Sequence, residues 1–128
     1  MAGKKCVVLS AYDNGNRQRS FGHALVVGIE QPPKKITKKM NAAQVERRTE
    51  IRVFLKHINY SHLMPTRYVV AGEVDAKTLI GDKKIETRAE KAAVRREIAK
   101  ALKAKFCSPA EAAKATRDLV FLRKPLNF

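Results

Sequence analysis

Serine and histidine occur close together twice in this sequence, and these pairs are the first residues that could support catalysis. Ser61 precedes His62 within the segment Asn59–Tyr68, and Ser20 lies three residues before His23. A serine nucleophile with a histidine base also needs an orienting carboxylate and a sharp turn of the Gly-x-Ser-x-Gly type, and neither pair has them. The sequence also contains no Walker loop and no dinucleotide fingerprint. These absences predict that the protein is not an enzyme.

The cysteines and histidines do not have the spacing of a metal site. Cys6 and Cys107 lie near opposite ends of the chain, and His23, His57 and His62 form no Cys-x-x-Cys or His-x-x-x-His grouping. We predict two reduced thiols, with a single disulfide as the alternative. No metal, cofactor or small-molecule substrate is predicted.

Positive charge is the chemistry that this chain carries in excess. Its 128 residues include 27 Lys+Arg against 12 Asp+Glu, which gives a formal net charge of +15. The first 64 residues hold 12 basic and 4 acidic residues, and the last 64 hold 15 and 8, so the excess extends along the whole chain. Repulsion of this kind destabilises a free globular protein, and a polyanionic partner relieves it. The charge balance therefore predicts an anionic partner.

Nucleic acid fits this sequence better than a membrane surface does. Membrane binding needs an amphipathic helix with bulky apolar anchors or a lipid signal, but the chain has no Trp, and Ala2 follows Met1 where myristoylation requires Gly. No apolar run approaches the roughly 20 residues of a transmembrane helix. The apolar run Cys6–Leu9 is too short for a signal-peptide core. We therefore expect a soluble, non-secreted protein that binds nucleic acid.

Two basic regions are the candidates for RNA contact. Residues 34–56 hold eight Lys/Arg, with Phe54, Tyr60 and Tyr68 in or just beyond them, and a second basic cluster lies in the predicted helix over residues 87–106. Lysine and arginine neutralise phosphates, and aromatic rings stack on unpaired RNA bases. The alternatives are a solvated basic surface and aromatic rings that fill a strand core. The predicted RNA-binding residues are Arg17, Arg19, His23, Lys34, Lys35, Lys38, Lys39, Arg47, Arg48, Arg52, Lys56, Tyr60, His62, Arg67, Arg88, Lys91, Arg95 and Arg96.

Four strands are predicted in the first part of the chain. Apolar runs over residues 5–12 and 23–30 are joined by a connection that begins with the tight-turn sequence Asp13-Asn14-Gly15-Asn16. A third run, over residues 51–59, alternates Ile, Val, Leu and His with residues that are not uniformly polar. A fourth strand is predicted over residues 67–71.

Helices are predicted mainly in the second half. Residues 41–48 form a short helix with Asn41 as N-cap. A longer helix over residues 87–106 begins with a capping box and carries apolar residues four apart. The sequence Ser108-Pro109-Ala110-Glu111 starts another helix that runs to about Arg117, and Leu119–Phe128 is predicted to dock as an extended segment.

Three segments carry a family resemblance. They are FGHALVVGIE (residues 21–30), PKKIT (residues 33–37) and NYSHLMPTRY (residues 59–68). Together they resemble the eukaryotic large-subunit ribosomal protein family numbered twenty-seven, which is unrelated to its bacterial namesake. The resemblance is close over residues 5–71. Beyond them, the basic, Ala-rich helix and the aromatic ending resemble the family in character.

The resemblance implies an α+β fold with a small SH3-like β-barrel over residues 1–75, which carries a basic loop insertion. Residues 76–128 would form a helical extension and a tail that docks on the barrel or on rRNA. The resemblance also implies a structural constituent of the large ribosomal subunit, in contact with rRNA and neighbouring ribosomal proteins, without catalysis. We therefore expect a cytoplasmic, ribosomal location with nuclear and nucleolar transit during assembly.

One feature of the family has no counterpart in this sequence. Its members usually begin with an extra strand and a Gly-containing loop of the KOW type, ahead of the strand that Lys5–Tyr12 matches. We therefore expect a barrel that is open or completed by a neighbour, and no RNA contact through that loop. A free-standing basic RNA-binding module or RNA chaperone is the alternative function.

Overall fold

Three antiparallel strands lie at the centre of the fold. The computed structural model describes residues 1–70, 80, 85, 87–108, 114 and 116–126. Within them, β1 (Cys6–Tyr12), β2 (His23–Gln31) and β3 (Arg52–Asn59) form one sheet in the order β1-β2-β3. Their Val, Ile, Leu and aromatic side chains suit a pleated surface that is covered on at least one face. The strands predicted from the sequence at these three positions are confirmed.

The register of the sheet brings several rings to one end of it. Tyr12 of β1 pairs with His23 of β2, and His23 pairs with Asn59 of β3. His57 pairs with Leu25, so it lies one step along the sheet on the same face as His23. The β1–β2 connection therefore emerges beside two histidines.

The turn after β1 depends on glycine. Gly15 has φ +73°, and a Cβ atom at that position would lie 2.5 Å from the carbonyl oxygen of Arg19. Only glycine adopts this conformation readily and leaves room for the returning chain. Asn16 and Arg19 then exchange backbone hydrogen bonds of 2.7 and 3.1 Å, which close the turn. The tight turn predicted from Asn-Gly is confirmed, and it fixes the position from which the Arg19 side chain leaves the backbone.

Two helices begin where the sequence predicts them. α1 (Ala42–Arg48) follows the N-cap Asn41, whose side-chain oxygen accepts a 2.9 Å hydrogen bond from the backbone three residues on. α2 (Arg88–Cys107) begins with the predicted capping box. The Thr87 hydroxyl accepts a hydrogen bond from the Glu90 N–H, and the Glu90 carboxylate accepts one from the Thr87 N–H. Each of these bonds gives an acceptor to a backbone N–H that has no acceptor within the helix.

α2 covers one face of the sheet and forms the main core with it. The buried side chains of α2 repeat every four residues, and none is more than 4% exposed: Val94, Ile98, Leu102 and Phe106. Their apolar partners in and beside the sheet are Val27, Ile29, Ile51 and Val53. Burial of one such side chain contributes roughly 1.5–3 kcal/mol, so this layer holds the helix in place.

The opposite face of the sheet holds a smaller apolar cluster. Its buried members are Ala24, Val26 and Phe54. The Phe54 ring lies over Gly28, and a Cβ atom there would collide with the end of the ring. Among the aromatic residues considered for RNA stacking, Phe54 is therefore part of the core, at 6% exposure.

A third helix, α3 (Arg117–Arg123), stands where the sequence predicts an extended segment. Thr116 caps it by accepting a hydrogen bond from the Leu119 N–H at 3.4 Å. The three-residue spacing of Leu119 and Leu122 places both side chains in the main core. The prediction of an extended segment for residues 119–123 was wrong, because a helix places two apolar residues three apart on one face, where both pack into the core. Residues 127–128 lie outside the described residues.

Lys5 fastens the end of α3 to the start of β1. Its Nζ atom donates to the carbonyl oxygens of Phe121 at 2.5 Å and Lys124 at 2.7 Å, and lies 3.6 Å from the centroid of the Phe121 ring. The last carbonyls of a helix lack hydrogen-bond donors and carry partial negative charge. The Lys5 ammonium group supplies both the donors and a positive charge. Burial, with a smaller contribution from Lys124, lowers the pKa of Lys5.

The predicted fourth strand is not formed. Residues 67–70 have no regular secondary structure, and residue 71 lies outside the described residues. The Tyr68 ring instead stacks on Phe121 of α3, with centroids 4.0 Å apart, so this segment is held by side-chain packing. Within the described residues the sheet is therefore open, with three strands.

The helix predicted from Ser108 to Arg117 falls mainly on residues 109–113 and 115, outside the described residues.

Candidate nucleic-acid interface

The Ser61–His62 pair lies on the surface, directly after β3. Ser61 and His62 are both exposed in a short 3-10 turn, and the Ser61 N–H donates to the Asn59 side chain at 3.1 Å. Cys6 and Cys107 carry free thiols, and burial raises the pKa of the Cys6 thiol. Within the part of the chain that the structure describes, no three His, Cys, Asp or Glu side chains form a group that could hold a metal ion.

Most of the predicted RNA-binding side chains are exposed. They lie on every element described above except β1, β2 and α3, and they are Arg17, Lys34, Lys35, Lys38, Lys39, Arg47, Arg48, Arg52, Lys56, Tyr60, His62, Arg67, Arg88, Arg95 and Arg96. Arg19 and Lys91 are half-buried, and His23 is fully buried. The exposed residues can reach a large anionic partner without any change in the fold.

The segment between β2 and β3 presents the densest exposed charge. We call its six cations, together with Arg52 at the start of β3, the basic group: Lys34, Lys35, Lys38, Lys39, Arg47, Arg48 and Arg52. Two hydrogen bonds tie the segment to the end of α1, because the Lys34 N–H donates to the Arg48 carbonyl at 2.8 Å and the Arg48 guanidinium donates to the Lys35 carbonyl at 3.1 Å. Lysines and arginines from two parts of the sequence are therefore presented together.

Tyr60 connects two loops. Its hydroxyl donates to the Asp13 carboxylate at 2.7 Å, and its backbone N–H donates to the Gly22 carbonyl at 3.2 Å. The hydrogen bond to Asp13 is the main reason why the pKa of Tyr60 is raised. Arg67 lies 5.5 Å from the centroid of the Tyr68 ring. The aromatic residues of this region thus make protein contacts, while the Tyr60 ring remains 36% exposed.

His23 does not have access to a partner. It is 0% exposed, and its ring packs between Tyr12, with centroids 4.9 Å apart, and Phe21 and His57 at 5.8 and 5.6 Å. Its Nδ1 atom lies 2.9 Å from the Phe21 carbonyl. The prediction of direct RNA contact is corrected for this residue, because β2 is the central strand and its end is covered by rings from both sides.

Three elements meet at a cleft of about 150 Å³, which we call the Arg19–Lys91 cleft. Its cationic and titratable lining comes from the β1–β2 connection, from β3 and from the first turn of α2: Arg19, Lys56, His57 and Lys91. Its apolar walls are Leu25, Leu55 and Ile85. Residues that are 72 positions apart in the sequence, 19 and 91, therefore line one space.

The electrostatics of the cleft are uniformly positive. Burial lowers the pKa of His57, and the charges of Arg19, His23 and Lys91 lower it further, in that order. Within the described part of the chain, the lining contains no carboxylate to balance them. Sequence reasoning did not select His57, because its alternation with Leu55 and Val53 indicated only which face of a strand it occupies. The docking of α2 against that face is what places Lys91 beside it.

A second cavity, of about 240 Å³, lies between the N-terminal residues and the end of α3. Lys4, Lys5, Arg123 and Lys124 are among its lining residues. Lys5 is already engaged by two carbonyl groups, as described above.

Among the described residues, no helix has the length and apolar character needed to cross a bilayer.

The sequence has relatives among known proteins. Residues 1–123 match the Ribosomal L27e protein family. The large ribosomal subunit protein eL27 of Tetrahymena thermophila is 43% identical over 89 residues, which cover 70% of this chain and 62% of the relative. The protein eL27A of Schizosaccharomyces pombe is 42% identical over 84% of this chain and 78% of its own length. The protein eL27B of Saccharomyces cerevisiae is 42% identical over 78% of this chain and 73% of its own length.

Proposed function

The chain belongs to the Ribosomal L27e protein family, and we propose that it is held in the large ribosomal subunit mainly by contacts between its Lys and Arg side chains and rRNA phosphates. Its relatives are named as large ribosomal subunit proteins. It is accordingly a structural constituent of that subunit and not an enzyme. The exposed cations described above are the observation that supports phosphate contact.

Phosphate contact accounts for features that sequence-specific reading of bases does not. The cations are spread over loops, α1, β3 and α2 rather than gathered on one recognition element. Contacts of this kind fix the position and orientation of a protein on nucleic acid without reading its sequence. A net charge of +15 is also an electrostatic cost for the free protein, which rRNA offsets.

The basic group is the strongest candidate for the principal contact. Its side chains are exposed, and the hydrogen bonds between Lys34, Lys35 and Arg48 hold the segment against α1. A segment held in this way loses less conformational freedom on binding than a free chain does. The stripe of Arg88, Arg95 and Arg96 on α2 would supply further contacts from a rigid helix.

Three finer points belong to the same proposal. We infer from the family resemblance that the open sheet corresponds to an SH3-like barrel and that neighbouring ribosomal proteins contact its uncovered parts. Val8, on the opposite face from α2, is 55% exposed and fits such a contact. The protein would join the subunit during assembly in the nucleolus and serve in the cytoplasm.

Sedimentation tests the proposal. In a sucrose gradient at moderate salt, the wild-type protein should co-sediment with large subunits at one copy per subunit. Replacing Lys34, Lys35, Lys38 and Lys39 by Gln should reduce that occupancy, because four phosphate contacts are weakened. The matched control replaces the same four residues by Arg and should retain occupancy. Wild-type protein that stays at the top of the gradient would instead support the transient RNA-chaperone function.

A further inference from the structure

We propose that the Arg19–Lys91 cleft binds a single phosphate of the RNA backbone, held between the Arg19 guanidinium and the Lys91 ammonium group. This inference rests on the proposed function and specifies one contact within it. Lys56 also lines the cleft, but strand alternation places its side chain on the opposite face of the sheet from His57. The ligand is a phosphodiester group, and neither a base nor a metal ion.

The two side chains that would hold the phosphate are positioned by independent parts of the fold. Arg19 follows the Gly15 turn, where two backbone hydrogen bonds with Asn16 fix its main chain. Lys91 is three residues before Val94 and seven before Ile98, so it shares the face of α2 that packs on the sheet. At the start of the helix this face reaches the end of the sheet, where Lys91 meets the cleft.

The cleft has the field of an anion site. Among the described residues, the charged or titratable groups that line it are all basic: Arg19 from the loop, Lys56 and His57 from β3, and Lys91 from α2. The electrostatic effect of His23, on β2, also lowers the pKa of His57. An anion is the ligand that this arrangement stabilises.

The apolar walls strengthen that attraction. Leu25, Leu55 and Ile85 line the cleft together with its cations, and charges interact more strongly where the effective dielectric constant is low. The Nδ1 atom of His57 is buried without a hydrogen-bond partner among the described residues.

The chemistry of the lining favours a phosphate over a base. Stacking of an RNA base requires an exposed aromatic face. Among the described lining residues the one ring is that of His57, which is already packed against Tyr12 and His23. Arg provides two parallel N–H donors that match the geometry of two phosphate oxygens, and Lys provides a point charge. Both groups are present and face the same space.

A double-mutant cycle on rRNA binding tests the proposal. We would measure the affinity of the full chain for deproteinised large-subunit rRNA with Arg19→Met, Lys91→Met and both changes together. Each single change should weaken binding roughly tenfold, because each removes charge-assisted hydrogen bonds to the same phosphate. The double variant should lose clearly less than the product of the two single losses. Its salt slope should fall by about 0.7–0.9, the value for one phosphate.

Lys100→Met is the matched control. Lys100 is exposed on α2, nine residues beyond Lys91, and its removal changes the net charge equally. We expect it to affect affinity much less than Lys91→Met. If Arg19→Met and Lys91→Met act independently, or no more strongly than Lys100→Met, the cleft is not a phosphate site. If the wild-type protein itself fails to bind rRNA, the proposed function fails instead.

Thermal stability separates a binding role from a structural one. Arg19→Met and Lys91→Met each remove a charge that repels the protonated form of His57 and keep an unbranched side chain, so the melting temperature should stay the same or rise. A loss of stability that parallels the loss of affinity would assign these residues to the fold and overturn the proposal.

Inorganic phosphate distinguishes the source of the ligand. In NMR titrations, the His57 ring signals should move at low concentration of a short single-stranded RNA and only at millimolar inorganic phosphate. Lys91→Met should abolish both responses. If inorganic phosphate binds as tightly as the RNA, the cleft is a site for a free anion, and the assignment to the RNA backbone is wrong.

Discussion

At the scale of single residues, His57 shows how burial and neighbouring positive charges lower a side-chain pKa in this protein. Burial and the neighbours Arg19, His23 and Lys91 all lower its pKa from the ordinary value of 6.5. The folded protein therefore holds the neutral ring, whereas the unfolded chain takes up a proton as the pH falls through about 6.5. Because the unfolded state binds more protons there, the contribution of His57 to stability is complete above this pH and declines below it.

We predict that His57→Leu reduces the pH dependence of folding in acid. Urea unfolding at pH 7.5 and at pH 5.5 should show that the wild-type protein loses more of its unfolding free energy between the two values than the variant does. His62→Leu, which removes an exposed histidine in the turn after β3, is the control and should keep the wild-type difference. Equal losses in wild type and His57→Leu would contradict the effect assigned to the buried ring.

At the scale of secondary-structure elements, α3 joins the two ends of the described chain. Leu119 and Leu122 anchor it in the main core, and Lys5 binds its last carbonyl groups. A seven-residue helix is too short to be stable alone, so these contacts decide whether it forms. The position of α3 also orders the segment before residue 71, through the stacking of Phe121 on Tyr68.

We predict that Leu122→Ala destabilises the protein by about 2–4 kcal/mol, because it removes a side chain that is only 7% exposed from the main core. Val120→Ala is the matched control in the same helix. Val120 is 38% exposed, so its truncation should cost well under 1 kcal/mol. Chemical denaturation measures both values. A small effect of Leu122→Ala would mean that α3 contributes little to the core.

At the scale of the whole molecule, charge dominates the behaviour of the protein. The net charge of +15 is carried mainly by exposed side chains, and the folded core is assembled despite their repulsion. Salt screens such charges over about 10 Å at 0.1 M, so it acts in opposite directions on folding and on RNA binding. We therefore expect added salt to stabilise the free protein and to weaken its proposed binding to rRNA.

We predict that affinity for rRNA fragments falls on the order of a thousandfold or more between about 50 and 200 mM salt, as expected for roughly six to ten phosphate contacts. Over the same range, the melting temperature of the free protein should rise. Filter binding or fluorescence anisotropy measures the first effect, and differential scanning calorimetry the second. A nearly flat salt response of binding would exclude a mechanism based on phosphate contacts.

The elements with local signals could be predicted from the sequence. The strands β1, β2 and β3, the Gly15 turn and the caps at Asn41 and Thr87 were all predicted, because each depends on side-chain alternation or on hydrogen bonds within a few residues. The basic composition likewise predicted an anionic partner, since net charge does not depend on how the chain folds.

Which of the basic residues line one cleft depends on the packing of distant segments. Arg19 and Lys91 meet because α2 packs on the sheet, and His23 is lost as a contact because rings cover the end of the central strand. Residues 67–70 do not form the strand predicted for them. The Tyr68 ring packs instead on a helix more than fifty residues away. These outcomes depend on burial between distant segments, and the free energy of such burial is set by the partner surface rather than by the local sequence.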